Sequence, residues 1–174
     1  MLMLAKNDPY KSVRDVMKAL WNILVTPEYQ RFVIPLQAKI LDFLVSNLTS
    51  AVWRDREAAC NALEGFLVQR EWSQLRHRVV KMWNGGMAVL DDIRDSTRIA
   101  SLGYMKVLSD QILRACTPLE SSKERVTECA GIMLPVLMDK GLVAPTPEGR
   151  GMALGVLVRI IKAAKGLLEP WLPR

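Results

Sequence analysis

Four times along the chain a short corner delivers an arginine into the start of an apolar, helix-forming run, and this recurrence constrains the fold more than any other feature. Aligned on the arginine, the corners are Ser12-Val13-Arg14, Val52-Trp53-Arg54, Ser96-Thr97-Arg98 and Glu148-Gly149-Arg150. The arginines lie 40, 44 and 52 residues apart, a period that fits a helical-hairpin repeat with insertions in the later connections. One such hairpin cannot bury its apolar faces alone, so neighbours must stack into a continuous core. The spacing predicts an all-α chain, an α-solenoid (superhelix) of about four hairpins. Residues 1–174 read as a single segment, with units near 1–26, 27–70, 71–117 and 118–168, and with 169–174 opening a further one.

The elbows have a chemistry of their own. An aspartate six residues before the arginine can cap the following helix while the arginine reaches toward the neighbouring turn. Asp8 with Arg14 and Asp92 with Arg98 follow that pattern, whereas Leu48 before Arg54 and Ala144 before Arg150 do not. Asp8, Arg14, Arg54, Asp92, Arg98 and Arg150 are therefore the candidate junction residues, with a structural role in fixing how repeats stack.

Leu, Ala, Met, Arg and Lys are plentiful and half of the residues are apolar, a composition that favours helices around a sizeable core. Seven principal helices are expected. Met1 to Lys6 reads as a helix tail. Asp8 is the expected N-cap and Pro9 the first residue of the next helix, with Val13, Val16, Met17, Leu20 and Leu24 at helical spacing. Glu28 to Leu48 is expected to kink at Pro35 and to bury Phe32, Leu36, Ile40, Phe43 and Leu44. Thr49 or Ser50 should cap a helix through Val68 that buries Val52, Trp53, Ala59, Ala62, Leu63 and Phe66.

Asn84-Gly85-Gly86 is a turn signal inside the helix expected over Ser73 to Leu90, which should kink, fray or split there. A helix from about Asp95 to Ala115 follows, with Ile99, Leu102, Met105, Val107 and Leu108 as its apolar surface. The next starts at Ser121 or Ser122 and carries a late Pro135, with Gly141 suited to a left-handed end. Thr146-Pro147-Glu148 caps the last helix, which Gly166 should end.

A formal charge of +6 invites a nucleic-acid reading, but the excess is spread thinly: 12 basic and 8 acidic residues to position 90, then 12 and 10. No Lys/Arg run exceeds two residues, so neither nucleic acid nor membrane insertion is the expected partner. Cys60, Cys116 and Cys129 are odd in number and far apart in sequence, which suits neither a disulfide framework nor a zinc site. Reduced thiols in an intracellular protein are expected. The apolar start is cut short by Lys6 and Asp8, too soon for a signal peptide.

The single histidine, His77, sits between Arg76 and Arg78 on what should be a solvated helix face. Without a second imidazole, a nucleophile–base–orienter set lacks its usual members. Asp91, Asp92 and Asp95 have no EF-hand spacing, and capping with ion pairs to Arg94 or Arg98 accounts for them. Gly85-Gly86 lacks the following Lys-Ser/Thr of a phosphate loop. No catalytic, metal-binding or cofactor-binding residue is assigned. Trp72 and Trp171 are the aromatics expected near exposed helix ends.

Met82 to Arg98, MWNGGMAVLDDIRDSTR, and Ile132 to Arg174, IMLPVLMDKGLVAPTPEGRGMALGVLVRIIKAAKGLLEPWLPR, resemble part of the very large HEAT-repeat proteasome adapter and scaffold family. The Leu-Asp-Asp-Ile-Arg-Asp-Ser-Thr-Arg corner and the Leu-Met-Asp-Lys-Gly-Leu turn are the specific part of that likeness. The resemblance implies about four HEAT-like repeats forming an internal piece of a longer array, with neighbouring repeats and proteasome subunits as partners. It also implies a non-catalytic role in holding the proteasome's regulatory and core particles together, in the cytoplasm, the nucleus or both. Generic repeat features alone would equally suit a nuclear-transport receptor or general cargo adapter.

Overall fold

The computed structural model describes residues 1–68, 70–118 and 121–164. Among these the chain is all-α. The helices are α1 (Leu2–Ala5), α2 (Lys11–Leu24), α3 (Tyr29–Phe32), α4 (Gln37–Asn47), α5 (Trp53–Leu67), α6 (Trp72–Leu75), α7 (Val79–Leu90), α8 (Asp95–Ala115), α9 (Lys123–Val136) and α10 (Pro147–Ala164). They form stacked helical hairpins in a solenoid-like arrangement. One apolar cluster runs through the stack from Met3 to Ala164, with Leu44, Leu63, Trp83, Tyr104, Met133 and Ile160 fully buried. The most extensive packing joins α5 to α8, and α7 also packs against α8.

Proline and glycine act differently from their expected roles. Pro35 does not merely kink the second helix. It opens a 3-10 turn, Ile34–Leu36, that separates α3 from α4, because its ring has no N–H to continue the ladder. The buried face shifts accordingly: Val33, Leu41, Leu44 and Leu48 are inside, while Phe32, Leu36 and Phe43 are exposed. Pro135 lies within α9, and the helix accommodates it by widening into a π-helical turn over Leu137–Gly141, closed by Leu142 N–H to Leu137 O (3.0 Å).

The expected break at Asn84-Gly85-Gly86 is absent, for α7 is continuous through it. The interruption falls instead at Arg76–Arg78, between α6 and α7, where Arg78 turns onto Asp42 of α4 through Nε and Nη2. The two glycines provide room. A Cβ at Gly85 would sit 2.8 Å from Leu48 Cδ1, and one at Gly86 would sit 2.1 Å from Met105 Sδ and 2.8 Å from Tyr104 Cε1. They let α7 approach α4 and α8 more closely than any side chain would permit. Gly141 likewise is not left-handed; its missing Cβ makes space for Ala153 of α10, at 2.5 Å.

Caps divide between expected and shifted. Ser122 Oγ accepts from Arg125 N–H (3.3 Å) and Thr146 Oγ1 from Gly149 N–H (3.2 Å), as helix N-caps do. Asp8 is not the N-cap of α2, a place that Tyr10 takes. Asp8 Oδ1 accepts Tyr10 N–H (2.8 Å) and so shapes the turn ahead of the helix. α2 buries none of its residues, so its expected apolar spacing is real but uncovered. Val52 is half exposed rather than buried, whereas Ala59, Ala62, Leu63 and Phe66 are inside. On α8 Met105 and Leu108 are buried while Ile99 and Leu102 face outward. Gly166 and residues 169–174 lie outside the described residues.

Candidate functional site

The elbows share one contact. Arg14 Nη1 donates to Asp8 O (2.8 Å) and Pro9 O (3.0 Å). Arg56 Nη1 donates to Ser50 O (2.8 Å) and Ala51 O (3.2 Å). Arg98 Nη1 donates to Asp92 O (2.6 Å), and Arg150 Nη1 donates to Ala144 O (2.7 Å) and Pro145 O (2.9 Å). In each case a guanidinium in the first turns of a helix reaches back six residues and ties off carbonyls of the preceding turn, groups that have no partner within the helix itself.

The second member of the set is Arg56, not Arg54, which moves that elbow by two residues. The shared contacts fall 42, 42 and 52 residues apart. The corrected frame puts Ser50 where Asp8 and Asp92 stand, and the three behave alike: Ser50 Oγ accepts Val52 N–H (3.1 Å) and Asp92 Oδ1 accepts Arg94 N–H (3.0 Å). A side chain able to accept from the residue two ahead, six before an arginine, is the signal that distinguishes Arg56 from Arg54. Ala144 cannot make that contact, and Thr146 caps the fourth elbow instead.

Arg54 joins two elbows. Its Nη2 donates to Asp8 Oδ2 (2.8 Å) and its guanidinium lies over the Tyr10 ring at 4.4 Å. Arg56 joins the next pair: Nε and Nη2 reach Asp92 Oδ2 at 2.7 and 2.5 Å, with the Asp92 side chain 3% exposed. Arg94 stacks over Trp53 at 3.9 Å. Glu57 accepts from Ser96 Oγ (2.7 Å) and Thr97 Oγ1 (3.3 Å). The first three elbows are thus stitched laterally by charge-assisted hydrogen bonds. Between the third and fourth, Arg98 turns to its own Asp95, leaving a groove of about 540 Å³ lined by Asp91, Asp95, Ile99, Leu102 and Glu148.

Several polar groups elsewhere are similarly committed, although the buried Trp83 Nε1 has no partner among the described residues. A groove of about 800 Å³ between α4 and α7 holds His77, Ser46, Thr49 and Asp42. Ser46 Oγ donates to Phe43 O (2.8 Å), Thr49 Oγ1 donates to Ser46 O (3.1 Å) and Asp42 is held by Arg78. Both hydroxyls thus spend their protons on backbone carbonyls. Trp72, expected near an exposed end, is buried. Its Nε1 donates to Glu128 Oε2 (2.8 Å), and this bond and the one from Arg76 hold the Glu128 carboxyl below its usual range. Trp171 lies outside the described residues.

Cys116 and Cys129, distant in sequence, meet at 3.0 Å between their sulfurs as buried free thiols. Burial pushes the Cys60 thiol up to about 12, and contact with Cys116 together with burial raises that of Cys129, which makes both poor nucleophiles. Among the described residues no group of three or more His, Cys, Asp or Glu side chains is placed to hold a metal ion. No described helix is long and apolar enough to cross a membrane.

Fold and site together define an all-helical, hairpin-stacked segment whose elbow arginines are spent on its own junctions. No family model matches the chain. It is 35% identical over 167 residues to the Proteasome adapter and scaffold protein ECM29 of Homo sapiens, covering 96% of this chain and 9% of that protein. It is 27% identical over 169 residues to the Proteasome component ECM29 of Saccharomyces cerevisiae, with 96% and 9% covered. It is 22% identical over 173 residues to the Proteasome component ecm29 of Schizosaccharomyces pombe, with 97% and 10% covered. The chain is a remote homologue of these proteasome-associated proteins and spans about a tenth of their length.

Proposed function

We propose that this chain is a scaffold segment of about four HEAT-like repeats, set within a longer solenoid that binds the proteasome and helps hold its regulatory and core particles together. The observation that carries this reading is the 35% identity to a proteasome adapter and scaffold protein across 96% of the chain. The geometry supports it, because elbow arginines spent on backbone carbonyls and neighbouring carboxylates build a stiff, extended framework. Rigid stacked repeats of this kind present long surfaces to large partners. In this reading the neighbours of α2 and α10 are further repeats, and the protein works in the cytoplasm, the nucleus or both.

The test is affinity purification of the tagged full-length parent protein from cell extract, followed by identification of what it retains. Core and regulatory proteasome subunits should co-purify and be displaced by excess untagged protein. A pulldown free of proteasome under conditions that keep the assembly intact would overturn the proposal. Retention dependent on a small GTPase would point to a transport receptor instead.

A further inference from the structure

Most arginines of this chain are spent on groups of its own: those of the elbows on carbonyls and carboxylates, Arg76 on Glu128, Arg78 on Asp42 and Arg94 on the Trp53 ring. Three others border one pocket of about 270 Å³, where the end of α5, the end of α8 and the start of α9 come together. These are Arg70, Arg114 and Arg125. None of them forms an ion pair among the described residues. The described carboxylate on that lining is Glu71, so three guanidiniums face one acid.

Local structure brings the three together. Arg70 follows the last turn of α5; its Nε donates to Phe66 O (3.1 Å) and its guanidinium lies over the Phe66 ring at 4.5 Å, which fixes its plane and leaves both Nη groups for other acceptors. Gln111 clamps α8 to the same place, with Nε2 donating to Leu67 O (3.0 Å) and Val68 O (3.3 Å), and Arg114 follows one turn along α8. Arg125 enters with the first turn of α9, whose amides add positive potential. Competing groups nearby are taken. At the end of α8, Leu113 O accepts from Thr117 Oγ1 (2.7 Å) and Arg114 O from Ser121 Oγ (3.0 Å). Glu128 is held by Trp72 and Arg76, Asp110 is turned to Arg159 (3.5 Å), and bonds from its own N–H and from Ser122 keep the Glu124 carboxyl below its usual range.

We propose that this pocket binds a phosphate monoester, carried on a phosphorylated serine or threonine of a partner protein. Three planar guanidiniums arriving from three elements match a group with three terminal oxygens, through charge-assisted and bidentate hydrogen bonds. A carboxylate has two oxygens and leaves one arginine without an acceptor. Size sets a further limit, because about 270 Å³ falls below the ~300–1,000 Å³ of sites that enclose a small-molecule ligand. The pocket therefore takes a charged head while the rest of the ligand stays outside, as a side chain of a larger partner does. A single-stranded nucleic acid would need exposed rings on which to stack its bases, and the tryptophan at this site, Trp72, is buried. Phosphate capture here is independent of any proteasome binding.

The test is calorimetric titration of the 174-residue chain with a glycine-flanked phosphoserine pentapeptide. A Kd below about 1 mM is expected, weakening as salt is raised. The matching glutamate and unmodified serine peptides should bind at least about tenfold more weakly, and inorganic phosphate and a short oligouridine should also bind more weakly than the phosphopeptide. Arg114→Gln and Arg125→Gln should each weaken the phosphopeptide at least about tenfold, whereas Lys18→Gln, which removes the same charge from α2, should change its Kd by less than about twofold. Both pocket arginines are exposed, so the variants should keep the far-UV helical signal; should one lose it, the other carries the test. Absence of saturable phosphopeptide binding, equal affinity for any of the other probes, or an affinity unmoved by the arginine variants would overturn the proposal.

Discussion

Arg56→Ala is the perturbation on which the elbow frame depends most directly. The guanidinium donates to two backbone carbonyls of its own elbow and twice to Asp92, whose side chain is 3% exposed against 20% for the arginine. Truncation leaves a buried carboxylate with only Arg94 N–H as partner and frees the Ser50 carbonyl. Breaking a buried pair from one side costs about 3–5 kcal/mol, and partial solvent access of the arginine argues for the lower end, ~3 kcal/mol. In a chain this size that corresponds to a melting temperature lower by about 6–12 °C. Arg54→Ala is the control. Its pair with Asp8 is 38% and 14% exposed and its other contact is the Tyr10 face, so the loss should be about 1 kcal/mol. The assay is urea unfolding followed by circular dichroism, with the slope unchanged and only the midpoint moved. A cycle with Asp92→Asn should give a coupling of roughly 1–3 kcal/mol. Equal losses for Arg54→Ala and Arg56→Ala, or a cycle with no coupling, would refute the assignment of Arg56 as the repeating arginine.

Three further outcomes follow from the same contacts. Arg98→Ala should lower the urea midpoint by about 1–2 kcal/mol through the loss of the Asp92 carbonyl contact while leaving partner binding by the folded fraction intact; lost binding at unchanged stability would contradict the structural role. Gly86→Ala should destabilise by about 1–3 kcal/mol from overpacking against Met105 and Tyr104, whereas Gly155→Ala, facing open space, should stabilise by up to about 1 kcal/mol through helix propensity; opposite signs in a thermal scan are the check. With Cys60 held near 12 when folded and an ordinary thiol value when unfolded, the unfolded chain releases that proton first as pH rises. The associated stability is complete below about pH 8 and falls by about 1–2 kcal/mol by pH 10. Urea midpoints that do not decline between these pH values would contradict the burial argument.

The helix succession was legible because apolar spacing and polar caps report on local geometry, and Asp95–Ala115 and the Ser122 and Thr146 caps lie where those signals place them. Residues that act at a distance were harder to read. Gly85-Gly86 carries the same letters whether it turns the chain or admits a neighbouring helix, and only the nearness of Leu48, Tyr104 and Met105 decides between them. Leu44 is inside as expected, but Val33, Leu41 and Leu48 join it in place of Phe32, Leu36 and Phe43, because Pro35 broke the helix and reset its phase. Trp72 near a helix start looked exposed, since nothing local announces that Glu128, 56 residues on, accepts its indole N–H. The second elbow shows the limit most clearly. Arg54 and Arg56 stand two apart, both pair with an aspartate of another elbow, and helix spacing alone accepts either. The contact that separates them is the reach back to Ser50 O, with Ser50 itself accepting from Val52 N–H. A serine can replace an aspartate there because the turn asks only for a short side-chain acceptor, while lateral stitching asks for a carboxylate, and Asp8 and Asp92 supply both. The repeat is therefore conserved within this chain as a backbone contact rather than as a residue pattern, and an alignment that demands Asp with Arg passes over the elbow that joins its neighbours through Arg56.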